Sequence, residues 1–343
     1  MARRIDWNEP PQTKRKPDFE NLLAVLRREQ PARPTLWDFG TNGQIRQRGY
    51  GALGADYGAW PYYDYEKGNC GKLEFKTGAR KVDGARTASL NRGSVITDRA
   101  SFEAFDWPDP DKLTTASLDA QAARLAPGAK IIAQGGGDGV LETTIRLVGF
   151  DNLCYMLVDD EALVADIFHE VGWRRTRAYE LAAPHPAVGA ASLNDDWGFK
   201  SQTMLSPADL RRFVFPWYKK ITAIYHSYGK PVILHSCGYF ANIIDDITDL
   251  MRIDARHSYE DNILPVEEAY EAYHARLAII GGIDMDFMAR AEPEQIYKRS
   301  CDMLERSATR GGYALGTGNS VPDYIPEANY FAMVRAALDV GGE

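Results

Sequence analysis

From residue 129 onward the chain repeats one pattern, a short apolar run closing on Gly, Asp or Asn, then a longer amphipathic segment, then the next apolar run. The apolar runs are 129–137 (AKIIAQGGG), 187–198 (AVGAASLNDDWG), 231–238 (PVILHSCG), 252–258 (RIDARHS), 276–284 (RLAIIGGID) and 311–318 (GGYALGTG). Between them lie segments with helical periodicity: 141–158, a long one from 162 to 183, and 205–229, 240–251, 263–274 and 293–310, with 326–338 closing the chain. Ser206 is placed as an N-cap, Pro207 as the first helical residue and Gly229 just past a helix end. Strands that alternate with helices, and are apolar on both faces, belong to a parallel sheet covered by helices. Counting 33–40 (RPTLWDFG) as the first strand gives seven or eight such units. That predicts an α/β fold, a (β/α)8 TIM barrel, over an open sheet.

The N-terminal part carries the less regular sequence. Phe19, Leu22, Leu23 and Leu26 form one stripe of a helical lead before the first strand. From 41 to 113 the chain is rich in Gly, Tyr and Asp, and 71–75 (GKLEF) and 79–84 (ARKVDG) suggest short antiparallel strands. This stretch is expected to be a covering excursion inserted after the first strand, within one domain spanning 1–343. Its aromatic residues, Tyr50, Tyr57, Trp60, Tyr62, Tyr63 and Tyr65, would wall a pocket or form the small core of a lid.

Composition narrows the classes of function. Forty basic against forty-eight acidic residues leave a formal charge of −8 without long like-charge blocks, so no nucleic-acid partner is expected. Four scattered cysteines in 343 residues make no disulfide framework. With no run of eighteen apolar residues and no apolar stretch behind the basic N-terminus, the expectation is a cytoplasmic protein without a membrane span.

In such barrels the chemistry sits at the C-terminal ends of the strands. Five of the seven expected ends carry Asp or Glu, among them Asp38, Asp195–Asp196, Glu260 and Asp284. Side chains two apart on a strand share a face, so His235 and Cys237 both enter the mouth. An imidazole nitrogen and a thiolate suit zinc, although a catalytic zinc takes three protein ligands and the third is not identified. The plain alternative is a buried thiol beside a hydrogen-bonded histidine. Of Asp195 and Asp196 only one can face the mouth; Asp196 is taken with His235 and Asp284 as catalytic, though helix capping serves equally for Asp284. Asp38, Asn194, His257, Glu260 and Asn319 complete the set as substrate-binding residues. The glycines of 135–139 (GGGDG) lack the spacing of a phosphate loop and read as a tight turn. No GxSxG elbow is present, so covalent acyl chemistry has little support.

The motifs NDDWGFKSQTMLSPADLRRFVFPWYKKI, VILHSCG, RHSYEDNILPVEEAY, AIIGGIDMDFM and GGYALGTGNSVPDYIPEANYFAMV, in that order, resemble the uroporphyrinogen decarboxylase-like superfamily, and within it the corrinoid-dependent methyltransferases. The resemblance implies a (β/α)8 barrel. In thiol-methylating members the His and Cys of H-x-C-G bind zinc together with a later Cys. His235 and Cys237 match the first two positions, while the later one falls at about Gly318 or Asn319, where no Cys stands. The resemblance therefore implies methyl transfer between a methyl-corrinoid, carried by a separate corrinoid protein, and tetrahydrofolate as the small-molecule substrate. Asn194, Asp196, Asp284 and Asn319 would hold the pterin. The alternatives are a zinc-dependent methylcorrinoid:thiol methyltransferase, with a rim carboxylate completing the site, and a porphyrinogen decarboxylase or non-catalytic binding barrel. The decarboxylase's Met-Arg-Gln-Ala-Gly-Arg motif is replaced here by LWDFGTNGQIRQRGY. Homodimerisation is left open.

Overall fold

The structure, a computed structural model, describes residues 5–53, 62–78 and 89–342. Seven strands form one curled sheet in sequential order: β1 (Tyr65–Gly68), β2 (Lys130–Gln134), β3 (Val188–Asn194), β4 (Val232–His235), β5 (Ala255–His257), β6 (Ala278–Ile280) and β7 (Tyr313–Ala314). Every neighbouring pair is parallel. A parallel neighbour cannot be reached by a hairpin, so each return runs through helices or long loops. Helices α1 (Phe19–Leu26) and α2 (Gly43–Leu53) precede β1, and α3 (Arg99–Glu103) and α4 (Ala116–Ala122) lead to β2. Between β2 and β3 come α5 (Val140–Val148), α6 (Phe150–Asp159) and α7 (Glu161–Ala182); between β3 and β4, α8 (Pro207–Asp209) and α9 (Phe215–Ser227). Helix α10 (Val266–Tyr273) joins β5 to β6, α11 (Met285–Arg290) and α12 (Pro293–Ser307) join β6 to β7, and α13 (Glu327–Val340) closes the chain. Both sheet faces are covered, which is why β4 is buried at every residue and reads as an unbroken apolar run before its histidine.

Three features differ from the sequence reading. The segment expected as the first strand makes one parallel bridge, Leu36 to Leu315, with Trp37 N donating to Leu315 O (2.8 Å) and Leu315 N to Thr35 O (2.9 Å). It stands at the eighth position of the ring. Among the described residues no ladder joins it to β1; there Trp37 stacks on Tyr65 at 4.9 Å. The architecture is therefore a TIM-barrel-like curled sheet of seven strands.

Second, the 41–113 stretch is more than a cover, because it supplies β1, in register with β2 from Tyr65↔Lys130 to Gly68↔Ala133. Residues 71–75 form no strand, and 79–84 lie outside the described residues, as do Tyr57 and Trp60 and the side chain of Tyr50. Tyr62, Tyr63 and Tyr65 are buried in the main core. Third, 240–251 forms a 3-10 turn (Ala241–Ile243) and a π-helical turn (Asp246–Leu250) instead of an α-helix, and 141–158 is two helices broken at Gly149, whose φ is +86°. Ser206 caps α8 as expected, its hydroxyl accepting from Asp209 N at 3.1 Å. No helix among the described residues is long and apolar enough to cross a membrane.

Candidate metal centre and adjoining cavities

The register of the sheet brings the candidate residues together. Asn194 at the end of β3 lies opposite His235 at the end of β4, and His235 opposite His257 at the end of β5. Beyond the strands the two loops stay zipped: Trp197 N donates to Ser236 Oγ (3.2 Å), Cys237 N to Asp196 Oδ1 (2.7 Å) and Tyr239 N to Phe199 O (2.7 Å). The approach is close enough that a Cβ on Gly238, whose φ is +82°, would stand 2.2 Å from Gly198 O. Only glycine fits that point. In consequence one ligand atom from each of Asp196, His235 and Cys237 lies within 4.8 Å of the others, with Cys237 Sγ 3.6 Å from His235 Nε2. Asp196, two residues past the end of β3, is thereby placed where a third ligand, unidentified from sequence, could stand.

The adjacent aspartates divide two tasks. Asp195 is fully buried and points away, accepting from Leu141 N and Glu142 N (both 2.9 Å), Trp197 Nε1 (2.9 Å) and Tyr218 OH (2.7 Å). It thus caps α5 from another strand, in place of Gly139, which has no side chain to do so; a Cβ on Gly139 would sit 2.2 Å from Asp195 Cβ. Burial raises the Asp195 carboxyl to about 6. Glu142 beside it is raised to about 8 by burial and by the charges of Asp195, Asp196 and Asp138, which keeps it protonated at neutral pH.

Hydrogen bonds fix the state of His235. His257 Nε2 lies 2.8 Å from Thr317 O, which can only accept, so the hydrogen is on that nitrogen. Burial pushes His257 down to about 3, so it is neutral and its Nδ1 is an acceptor. That nitrogen is 2.7 Å from His235 Nδ1, which must therefore donate. Burial, followed by the His257, Lys67 and Arg256 charges, also holds His235 well below its ordinary value. The bare lone pair of His235 is left on Nε2, facing Cys237 and Asp196. This is the arrangement a metal-ligating imidazole needs, with its other nitrogen anchored by a second residue. The donor set of imidazole nitrogen, sulfur and carboxylate oxygen fits zinc with one position left open. Without a metal, burial and the Asp196 charge push the Cys237 thiol up.

Asn319, one of the two positions at which a third cysteine is sought, donates from Nδ2 to Cys237 Sγ at 3.2 Å, while its Oδ1 accepts from Ser320 N. On the opposite side Phe39 stacks face to face on His235, 3.6 Å between centroids and 6° between planes. Phe39 also lines two cavities, of about 520 and 380 Å³, that share Gln134, so its ring stands between them and the ligand cluster. The larger holds Lys67, Arg46 and Arg124 with Asp38 and Glu66; the smaller is lined by Asn69, Gln134, Ser192 and Asn194 beside Gly135–Gly137. Lys67 Nζ donates to the carbonyls of Asp38 (2.7 Å) and Phe39 and lies 4.6 Å from the Phe39 ring centroid. Burial lowers it to about 7.

The remaining candidates fall into place around this cluster. Asp38 is buried, its carboxylate accepting from Thr317 Oγ1 (3.0 Å), Tyr330 OH (3.0 Å) and Tyr63 OH (3.1 Å), and desolvation raises its pKa. It therefore holds the loop that carries the Thr317 carbonyl. Asn194 faces the smaller cavity. Glu260 is half-buried and raised by desolvation, with the Gly238 amide beside it. Asp284 stands outside the cluster: its Oδ1 caps α11 through Phe287 N and its Oδ2 accepts from Asp261 N, both at 2.9 Å. The capping alternative describes it. Sequence reasoning missed Phe39, Lys67 and Arg256. Phe39 directly follows Asp38 and could have been found with it, whereas Lys67 lies in a strand with no apolar signature.

A solved methyltransferase from Methanosarcina mazei is 15% identical, superimposes with a TM-score of 0.66 and covers 95% of this chain and 99% of its own, a likeness of fold. A glycosylated endo-beta-1,4-xylanase from Gloeophyllum trabeum, 10% identical, covers 67% of this chain and 82% of its own with a TM-score of 0.42. No curated protein matches. Residues 127–340, from just before β2 to the end of α13, match the family described as uroporphyrinogen decarboxylase (URO-D), and the chain belongs to that family.

Proposed function

We propose that the chain is a methyltransferase that moves a methyl group between the corrinoid of a separate protein and a thiol, using zinc held by Asp196, His235 and Cys237. One observation carries this reading: three ligand atoms, from the end of β4 and the loops after β3 and β4, converge within 4.8 Å, and the imidazole among them offers a bare Nε2. Zinc held there would supply Lewis acidity that keeps a thiol deprotonated at neutral pH. The chain's own residues do the rest. Asp196 and Cys237 contribute two negative charges, His257 and Thr317 hold His235 in one tautomer, and Asn319 steadies the sulfur with an N–H. Phe39 excludes water from the imidazole face.

The test is metal analysis after purification without chelator, followed by thiol-dependent demethylation of methylcob(III)alamin. Stoichiometric zinc is expected, lost together with the activity in His235→Ala and Cys237→Ala. A metal-free protein that still demethylates methylcobalamin would end this reading. A second reading, methyl transfer to or from tetrahydrofolate, draws on the smaller cavity, whose Asn69, Gln134 and Asn194 side chains suit the donors and acceptors of a flat heterocycle. Demethylation that requires tetrahydrofolate, ignores thiols and survives chelation would favour it.

A further inference from the structure

The ligand-bearing loop after β4 rests on a residue so far given no role. Arg256, on β5 beside His257, is fully buried. Its Nη2 donates to Ser236 O (2.7 Å) and reaches toward Gly238 O (3.5 Å), and its Nη1 donates to Ser258 O. Two of these carbonyls flank Cys237 on either side. The Phe240 ring, from the same loop, lies against the guanidinium at 3.6 Å, with Tyr259 at 5.1 Å on β5's own extension. Among the described residues no carboxylate forms an ion pair with it. The charges of Tyr259, Cys237, Asp196 and Glu260 act on it without forming an ion pair.

A guanidinium taken fully out of water without an ion-pair partner is costly, and an apolar side chain of similar volume would serve packing better. Its planar fork is what an apolar residue cannot replace, because it engages carbonyls on both sides of one residue at once. The backbone amides of this loop are held from the other direction, Cys237 N by Asp196 and Tyr239 N by Phe199 O. Loop 236–240 is thus pinned by β5 through the carbonyls that Arg256 engages and through Ser236 N, which donates to His257 O at 2.8 Å, and by the loop after β3 through Cys237 N and Tyr239 N. Without the carbonyl clamp, Cys237 is held only by its amide bond to Asp196 and by the Asn319 and His235 contacts of its sulfur.

We propose that Arg256 is the positioning residue of the ligand cluster, fixing Cys237 by clamping the carbonyls of Ser236 and Gly238 and opposing the anionic pair of Cys237 and Asp196 with a fixed positive charge. The inference rests on the metal reading for its consequence and on the loop geometry for its substance, so it is tested on both. In Arg256→Met, hydrogen exchange of the peptide covering 235–242 should accelerate at least about tenfold, with the peptide over β2 unchanged. Zinc affinity, read by competition with a chromophoric chelator, should fall about 10–100-fold, the range for losing a residue that orients a ligand. The thiolate-to-metal band of the cobalt-substituted protein should weaken, and Arg256→Lys should recover part of each loss. Should Arg256→Met fail to fold, Arg256→Lys alone is expected to show intermediate exchange and affinity. Unchanged exchange over 235–242 in either folded variant overturns the inference, as does zinc affinity within threefold of the parent together with an unaltered cobalt spectrum. Absence of zinc from the parent protein with accelerated exchange in the variants would overturn the metal reading and leave the clamp standing.

Discussion

Asp195 and Asp196 are neighbours of the same residue type with opposite consequences, which makes their replacement a sharp test. Asp195→Ala removes the acceptor of four donors, two backbone N–H groups at the start of α5, the Trp197 indole and the Tyr218 hydroxyl. A buried donor left without a partner costs about 1–3 kcal/mol. One of the four can be partly re-satisfied, Glu142 N at a half-buried residue, whereas the Tyr218 hydroxyl keeps only the bond it accepts from Val140 N and its O–H is left without an acceptor. Counting Leu141 N, Trp197 Nε1 and the Tyr218 O–H toward the lower end of that range gives about 4 kcal/mol, with the loss of the helix cap already contained in the Leu141 bond. Relief from burying a charge, visible in the raised Asp195 carboxyl, trims this figure without reversing it. Asp196→Ala removes one acceptor, that of Cys237 N, and should cost about 1 kcal/mol while abolishing zinc binding. Urea denaturation followed by fluorescence and circular dichroism, together with metal analysis, reads both quantities. The reasoning is refuted if Asp195→Ala costs less than about 1 kcal/mol, or if Asp196→Ala is the more destabilising of the two.

Four further outcomes are expected. His257→Phe keeps a ring but offers no acceptor to His235 Nδ1, so zinc affinity should fall about 10–100-fold in chelator competition while the fold persists. Asn319→Cys places a thiol where an amide nitrogen now stands 3.2 Å from Cys237 Sγ, and the added sulfur ligand should tighten zinc at least about tenfold by the same measurement. Gly139→Ala drives a Cβ to 2.2 Å from Asp195 Cβ and 2.4 Å from Asn194 O, atoms that cannot swing aside, and thermal unfolding should show a loss of about 1–3 kcal/mol. Lys67 is held near 7, below its ordinary 10.5, so between those values the unfolded chain binds the proton that the folded one has lost. Its contribution to stability therefore rises with pH through that window, and Lys67→Met should flatten the pH dependence of unfolding from about pH 7 to 10 relative to the parent.

Most helices and strands from residue 129 onward were legible because both sheet faces are covered, so each strand is an apolar run and most crossovers amphipathic; the helix expected at 240–251 and the single helix expected at 141–158 were the exceptions. β1 was not, because YEKG puts Glu66 and Lys67 toward polar partners and cavity and leaves no apolar run to detect. His235 and Cys237 were legible from strand alternation within one segment. The third ligand was not, since Asp196 reaches them through the register Asn194↔His235, a relation between strands that no local pattern encodes. The hydrogen bond from His235 to His257, and onward to Thr317, spans three strand ends and is hidden for the same reason.

The carboxylates at the strand ends bear on how such rims are read. Five of the seven expected ends carry Asp or Glu, and convergence on a shared mouth looked like the simplest account. The structure supplies a competing one, because each strand of a parallel sheet feeds a helix whose first N–H groups lack partners. Asp284 meets that need for the helix directly after it, and Asp195 meets it for α5, the helix of the preceding unit. Both have a donor on each oxygen, Asp195 in full burial and Asp284 at the edge of a cavity that it lines with Asp261, Asn262 and Phe287. Asp196 is different because its one described partner is the amide of Cys237, itself a ligand residue, so the bond that orients the carboxylate also builds the site. A rim carboxylate is thus a candidate for chemistry when its backbone donor belongs to another candidate, and a structural cap when that donor starts a helix. By that criterion Asp196 stays in the centre and Asp284 leaves it, and Asp284→Asn should weaken α11 while leaving zinc content untouched.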